Sequence, residues 1–417
     1  MKFIATAAAR RQKARTQATY DKYPYPAANR SSLITKRWHL APMEWIMALW
    51  RPGNENDPPK RILVAGCGSG SEAFALTRKF PSATIVAVDF SPRSIAIAKK
   101  LQRQSARMHK IRFVRADLTN RSLSRTTGGN FDFISCHGVL SYIPGPERIL
   151  ASLGRQLKSD GALFLGVNGS EHFSARGRPF LSSFGFNIDE LHDERRLRGL
   201  FKVWNRLLES QAAPSLPDRG PGYLAGDLFG PLIHNWPLSR WVQIASNAGL
   251  HLCDNYSCWR SRRFLMEGDH AFALLPRSRA ELSLLIDLLL PDTFHRLLFV
   301  KRKPWRGAWE TREALLSARP MLSRLYTIST GRPSRPERSR TRFVLKSQPL
   351  NTRLDWKMPA WEAEFLRQSD GRKTVQEILA GVRGRAPQTV LRHQLYVMYQ
   401  LLVLTLLPPN GKQSSII

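Results

Sequence analysis

The chain has 417 residues, 42% of them hydrophobic, and 64 basic against 32 acidic side chains give a formal charge of +32. That length exceeds one ordinary domain, so two or three units are expected, and the apolar content excludes disorder throughout. The charge favours anionic partners or surfaces without identifying one.

Cys67, Cys136, Cys253 and Cys258 form no CxxC pair, which argues against a zinc cluster and, at this length, against a disulfide scaffold. No paired His, Cys or carboxylate set asks for a metal. The mildly apolar stretch 1–9 precedes Arg10, Arg11, Lys13 and Arg15, the reverse of a signal peptide. Apolar runs near 282–290 and 401–407 are too short to span a bilayer. Cytoplasmic residence is the expectation.

Residues 1–19 are polar and basic, and an aromatic stretch punctuated by prolines follows, with Tyr20, Tyr23 and Tyr25. Trp38, Met43, Trp45, Ile46, Leu49 and Trp50 give residues 38–50 the apolar face of a helix. After a loop at 52–59, strands are expected at 61–65, 84–88, 111–114, 131–136 and 162–167. Helices are expected between them at 71–80, 94–103 and 146–157. This alternation predicts an α/β, doubly wound, mainly parallel sheet.

The rhythm breaks at Asn168. Residues 168–235 read as an insertion, holding a charged helix at about 189–208 and a Pro/Gly-rich turn at 215–222. A helix at 239–248 and strands at 250–256 and 270–275 then complete the sheet, with His270 a structural residue of the last strand. Beyond 276, apolar helical stretches are expected at 281–300 and 312–327, an Arg/Ser/Pro-rich linker at 331–342 and a compact helical unit at 358–407. Residues 277–346 hold 16 basic and 6 acidic side chains, so the positive charge is spread along the chain and not confined to a tail.

The chemistry-bearing signal starts at Gly66-Cys67-Gly68-Ser69-Gly70. A glycine turn between a first strand and its helix lets backbone N–H groups approach a nucleotide-containing ligand. Asp89 ends the second strand 19 residues after Gly70, where a carboxylate can accept both hydroxyls of a ribose. Dinucleotide dehydrogenases share that pair. Asp117, after the third strand, is placed to accept from an adenine amino group, and the fourth strand leads into Cys136-His137-Gly138-Val139-Leu140. These strand ends converge on one crevice.

VAGCGSG at 64–70, VAVDFS at 86–91, FVRADL at 113–118 and FDFISCHGVLSYIP at 131–144 resemble, as an ordered set, the motifs of class I S-adenosylmethionine-dependent methyltransferases. The resemblance covers about residues 60–168. It implies a seven-stranded Rossmann-like sheet with S-adenosyl-L-methionine as cofactor. The loop Gly66, Cys67, Gly68 and Gly70 would hold its methionine end, with Asp89 and Phe90 at the ribose, Asp117 and Leu118 at the adenine, and His137 beside the methyl position.

Tyr20-Asp21-x-Tyr23-Pro24-Tyr25-Pro26, His137-Gly138-Val139-x-Ser141-Tyr142 and Tyr223-Leu224-Ala225-x-Asp227 further resemble bacterial methyltransferases with a regulatory domain. Outer-membrane-protein lysine methyltransferases of rickettsiae are among these. The resemblance makes Tyr20, Tyr23 and Tyr25 lid residues and places His137 and Tyr142 at the pocket floor or in the substrate channel. The chain departs from that pattern between 168 and 222, and 366–379 looks like part of a winged-helix-like module. The expected organisation is an N-terminal basic segment and aromatic lid at 1–58, then a methyltransferase domain at 59–276 with its insertion. A mostly helical region at 277–417 follows, with the module at about 356–408.

Methyl transfer from a sulfonium needs alignment and exclusion of water, not a covalent nucleophile. His137, Tyr142 and Tyr20 are the candidate catalytic residues, His137 as a neutral imidazole able to take a proton. The plainer alternative is that His137 only caps its strand and orients Tyr142 or Tyr20. Tyr23, Tyr25, Tyr142, Asp227 and Trp236 are the substrate-side candidates, and Cys136 reads as packing. The expected reaction is methylation of an N or O nucleophile, with a protein lysine, a small molecule, or RNA or DNA as acceptor. A cofactor-binding scaffold without turnover is the non-enzymatic alternative.

Overall fold

The computed structural model describes residues 2–25, 41–54, 56–105, 108–120, 122–187, 193–209, 221–267, 269–275, 277–305, 307–330, 340–382 and 388–409. Pro26, residues 38–40, most of the 215–222 turn and residues 331–339 of the Arg/Ser/Pro-rich segment lie outside these.

Strands β1 (Arg61–Ala65), β2 (Thr84–Asp89), β3 (Ile111–Arg115), β4 (Phe131–His137), β5 (Leu157–Asn168), β6 (His251–Asn255) and β7 (Phe294–Val300) form one sheet. Its order is β3-β2-β1-β4-β5-β7-β6, parallel from β3 to β5, with β6 and β7 antiparallel to each other. Ile62, Leu63, Val64, Ile85, Ala87 and Val88 have no exposed surface, as strands covered on both faces must. The order reverses at β1, so the crevice beyond the carboxyl ends of β1, β2 and β4 is where such a sheet binds ligand.

The first compact unit comprises residues 1–38, 59–249 and 290–296. Its sheet helices α3 (Ser71–Lys79), α4 (Pro92–Gln102), α6 (Pro146–Gln156) and α10 (Leu238–Asn247) follow the expected alternation, and a short α5 (Leu123–Thr127), not among the expected helices, lies between β3 and β4. α4 starts at the N-cap Ser91, whose hydroxyl accepts from Ser94 N–H at 3.1 Å, with Pro92 at its first turn. The insertion forms α7 (Ser174–Ser183), α8 (Glu194–Glu209) and α9 (Pro221–Asp227) around its own core of Leu181, Phe186, Leu197, Phe201, Leu224 and Leu228.

Ahead of the sheet, Lys2–Lys22 is a 21-residue helix, α1. Residues 1–19 carry no apolar period that reads as a helix, and among its described side chains α1 buries Thr16 and Thr19. It runs against α4 and α9.

The second unit comprises residues 39–58, 250–289 and 297–417, so β7 lies on the division. It holds α2 (Met43–Trp50), α11 (Trp259–Leu265), α12 (Arg279–Leu289) and α13 (Arg312–Ser317). Toward the end come α14 (Ala360–Gln368), α15 (Val375–Gly381) and α16 (Gln388–Gln400). A three-stranded antiparallel sheet joins β9 (Thr327–Thr330), β10 (Arg340–Ser347) and β11 (Thr352–Pro359), and β8 (Arg319–Leu322) pairs with β12 (Leu404–Leu407). Arg262 and Asp254 form an ion pair with no exposed side-chain surface, shared with Ser283.

Three expected elements are corrected here. Residues 269–274 form a 3-10 helix, so His270 is not on a strand of the sheet. The helix expected over 281–300 ends at Leu289, and Phe294–Val300 is the sheet strand β7. Pro291 lies just past the helix end, and the short leucine-rich runs on either side of it cannot be told as helix or buried strand by period alone. Residues 312–327 divide into α13 and the edge strand β8, where Pro320 is tolerated. No helix among the described residues is long and apolar enough to cross a membrane.

Candidate functional site

Between β1 and α3 the chain turns through Gly66, Gly68 and Gly70 at φ 80°, 53° and 98°. A side chain resists that region. At Gly66 a Cβ would also overlap the Val139 side chain, so the β4 loop closes against the turn. The N–H groups of Gly66 and Cys67 both donate to the Val88 carbonyl, at 2.8 and 2.9 Å, which pins the turn to the end of β2.

Asp89 stands at that end. Gly68 N–H donates to its Oδ2 at 2.9 Å and Ser91 N–H to its Oδ1 at 2.9 Å. Burial pushes its carboxyl above the usual carboxylate range, the N–H groups of Ser91, Gly68 and Phe90 oppose that, and Asp21 adds to it. With the Gly68, Ser91 and Phe90 N–H groups on it, the carboxylate still keeps acceptor capacity for a further donor such as a ribose hydroxyl. Cys67 is buried in the turn, and burial raises its thiol pKa.

Helix α1 crosses this edge. Tyr20 meets Phe90 edge-on, with ring centroids 6.2 Å apart. Ser91 Oγ donates to Asp21 Oδ1 at 2.6 Å, and Arg93 donates to the Asp21 carbonyl at 2.7 Å. Lys13 pairs with Asp117, whose Oδ1 accepts from Thr119 N–H at 2.9 Å and Thr119 Oγ1 at 2.8 Å. Burial would raise the Asp117 carboxyl, but Lys13 and Thr119 outweigh it and hold the pKa below the usual range. Leu118 is buried beside it. Lys13, Asp21 and Ser91 carried no sequence signal as site residues.

Deeper in the unit, Tyr20, Tyr142 and Asp227 come together. The hydroxyls of both tyrosines lie in the interior; burial first, and then Asp227, drives their pKa values up. Tyr142 is within hydrogen-bonding reach of Asp227 and also donates to Asn168 Oδ1 at 3.1 Å. Tyr20 lies over Gly226, where a Cβ would crowd its hydroxyl at 2.9 Å. Tyr23 and Tyr25 pack instead on the apolar core of the insertion. Trp236 packs at a tilt against His234 and Trp241, at centroid distances of 4.5 and 4.7 Å, with Arg240 over its ring.

His137 is placed otherwise than expected. Its ring lies parallel to Phe164 at 6.2 Å and 5.1 Å from Phe294, and its Nδ1 is buried with no hydrogen-bond partner among the described residues. A Cβ on Gly166 would overlap that nitrogen. Burial, helped by Arg296, pulls its pKa down to about 3. The imidazole is neutral, wedged into the sheet, and a poor proton acceptor near pH 7. Cys136 is fully buried, and burial raises its thiol.

A family model described as a methyltransferase domain matches residues 63–163. An uncharacterised protein of a Synechococcus strain is 28% identical over 328 residues, 73% of this chain and 75% of that one. A malonyl-[acyl-carrier protein] O-methyltransferase of Halalkalibacterium halodurans is 29% identical over 118 residues, covering 28% of this chain and 42% of its own length. In fold, the chain is similar to PKMT2 from Rickettsia typhi, solved in complex with AdoHcy, with TM-score 0.52 and 16% identity over 88% of this chain and 76% of that one. The glycine turn and the Asp89 carboxylate lie within the residues that this family model matches, so the chain carries an S-adenosylmethionine-dependent methyltransferase domain there.

Proposed function

We propose that this methyltransferase acts on an amine nitrogen, with the lysine side chain of a polypeptide as its acceptor class. The observation that carries the reading is the Asp227 carboxylate set against the interior hydroxyls of Tyr20 and Tyr142. A carboxylate flanked by two phenol oxygens suits an ammonium or amine, which brings N–H donors and positive charge, better than an acidic acceptor. The motif resemblance to rickettsial lysine methyltransferases supports the same choice.

The glycine turn Gly66–Gly70 would hold the methionine end of the cofactor, Asp89 with Phe90 the ribose, and Asp117 with Leu118 the adenine. Bound there, S-adenosylmethionine supplies an electrophilic methyl group on its sulfonium. Tyr142 and Asp227 accept N–H bonds and so aim the nitrogen lone pair. Tyr20, carried on α1 against Phe90, excludes water from the space between them. Tyr23, Tyr25 and Trp236 are assigned to the walls of the acceptor approach.

The test is transfer of tritiated methyl from the cofactor into separated protein, nucleic-acid and metabolite fractions, followed by acid hydrolysis of the protein. Methylated lysine in the hydrolysate is the expected product. Label confined to nucleic acid or to metabolites would overturn the proposal.

A further inference from the structure

The three-stranded sheet of the second unit carries a charge arrangement that its own folding does not ask for. β10 pairs antiparallel with β11 so that Arg342 stands opposite Lys357 and Lys346 opposite Arg353, with the Val344–Asp355 pair between them. Successive residues of a strand alternate between faces, so these positions and Arg340 share one side of the sheet. That side holds five basic positions and one acidic position, Asp355.

Burial fixes which way this side looks. On the other side Leu345 stands opposite Leu354 and Ser347 opposite Thr352, and all four are buried. A slip of one residue would carry the basic positions into that core, so the apolar side locks the register. Lys346, Arg353 and Asp355 are exposed, and Asp355 lies 3.7 Å from Arg353. β9 adds Thr327 and Ser329 to the basic side, paired with Lys346 and Val344 and both exposed. Their hydroxyls donate to the carbonyls of Lys346 at 3.2 Å and Val344 at 3.4 Å, which ties β9 to β10. Val344 is buried, so each exposed side chain among the described residues of this side is polar or charged.

Like charges directly opposite one another weaken a sheet. Here two such pairs lie on one face, and a single carboxylate cannot offset both. A ligand that brings several fixed negative charges can. Positions two apart on a strand are about 7 Å apart and neighbouring strands about 5 Å, so the sheet holds its cationic positions in a rigid array. We propose that this face of the β9–β10–β11 sheet binds the phosphodiester backbone of nucleic acid. A bilayer fits it less well, because surfaces that dock there also insert apolar side chains, and none is exposed on the described part of this face. An acidic peptide carries its charges on flexible stems that lose rotamer freedom when aligned with a rigid sheet, whereas phosphates are part of their own backbone. Charge contacts of this kind do not read bases, so the binding is independent of sequence. The surface is also independent of which acceptor the methyltransferase domain uses.

A chain of charge +32 attracts any polyanion, so the test compares variants that remove equal charge. The probes are labelled oligothymidylate of about 20 nucleotides and a DNA duplex of similar length, titrated by fluorescence anisotropy with the full chain at several salt concentrations. Lys346→Ala with Arg353→Ala should weaken binding of at least one probe about tenfold or more, and lower the slope of log K against log salt by about 2. Lys99→Ala with Lys100→Ala, at exposed positions of α4, should change the affinity less than about threefold. Lys346→Glu sets opposite charges across the strands, so it should raise the unfolding midpoint while it weakens binding. An equal loss in the α4 pair, no loss in the sheet pair, or a lowered midpoint in Lys346→Glu would overturn the proposal. So would poly-L-glutamate or phosphatidylserine vesicles that depend on Lys346 and Arg353 as strongly as the oligonucleotides do, since the face would then serve an acidic peptide or a lipid surface.

Discussion

Gly68 N–H and Asp89 Oδ2 are 2.9 Å apart, so the glycine turn and the end of β2 are held as one piece. The same carboxylate that is assigned to the ribose therefore also shapes the loop assigned to the methionine end. Asp89→Ala removes both functions and strands the Gly68 and Ser91 N–H groups. The expected loss is about 2 kcal/mol or more in S-adenosylmethionine binding, some thirtyfold in Kd. Calorimetry on the folded variant checks this, and an unchanged Kd would remove Asp89 from the ribose site.

Gly66→Ala carries two separable penalties, a left-handed φ of 80° and an overlap with Val139. The first costs about 1–2 kcal/mol on its own. Adding Val139→Ala relieves only the overlap. Thermal denaturation and cofactor titration should thus show the single variant worst, the double variant intermediate and the wild-type chain best. Full recovery in the double variant would mean that backbone strain at Gly66 is unimportant.

Asp227→Asn keeps the shape of the group beside Tyr20 and Tyr142 but removes its charge. An amine acceptor should then bind about tenfold more weakly, whereas cofactor affinity, set at Asp89 and the glycine turn, stays within about twofold. Steady-state KM for the methylated lysine peptide, measured beside the cofactor Kd, separates the two. A matched rise in both would place Asp227 in the scaffold.

How much of this was legible follows the range of the signal. Gly66, Gly68, Gly70 and Asp89 were readable because the turn and strand end that need them are local in the chain. Their motif also fixed the first five strands of the sheet. β7 was not readable, because the leucine-rich runs on either side of Pro291 are too short for their period to separate α12 from a buried strand, and 281–300 reads as one helix. Asn168 was read only as the point where the rhythm breaks; its partners Tyr142 and Asn235 are 26 and 67 residues away in sequence. α1 escaped notice because its lysine and aspartate side chains, not an apolar stripe, make the contacts to Asp117 and Ser91.

His137 was legible as a residue at that strand end with a proton-accepting and a structural role both open, because sequence cannot show that Phe164 and Phe294 pack against its ring. With its pKa pulled down to about 3, it does not titrate between pH 5 and 8. The pH dependence of kcat/KM in that window should therefore keep its shape in His137→Asn, even where the variant loses stability from poorer packing. An inflection near pH 6–7 that disappears in the variant would show that the imidazole does exchange a proton during turnover.

Glu362, on α14, offers a stability test independent of the cofactor site. It is buried, its Oε1 has no hydrogen-bond partner among the described residues, and burial raises its pKa from 4.5 to about 7. A raised carboxyl pKa means the folded state holds its proton more tightly than the unfolded state. That contribution is fully present below about pH 4.5 and is lost as pH rises to about 7, a change of up to ~3 kcal/mol. Glu362→Gln stays neutral at every pH, so it should be more stable than the wild-type chain at pH 8 and lose that advantage below pH 5. Denaturant titrations of both chains across this range measure the difference directly. A constant gap between them would mean that Glu362 is ionised in the fold and satisfied there.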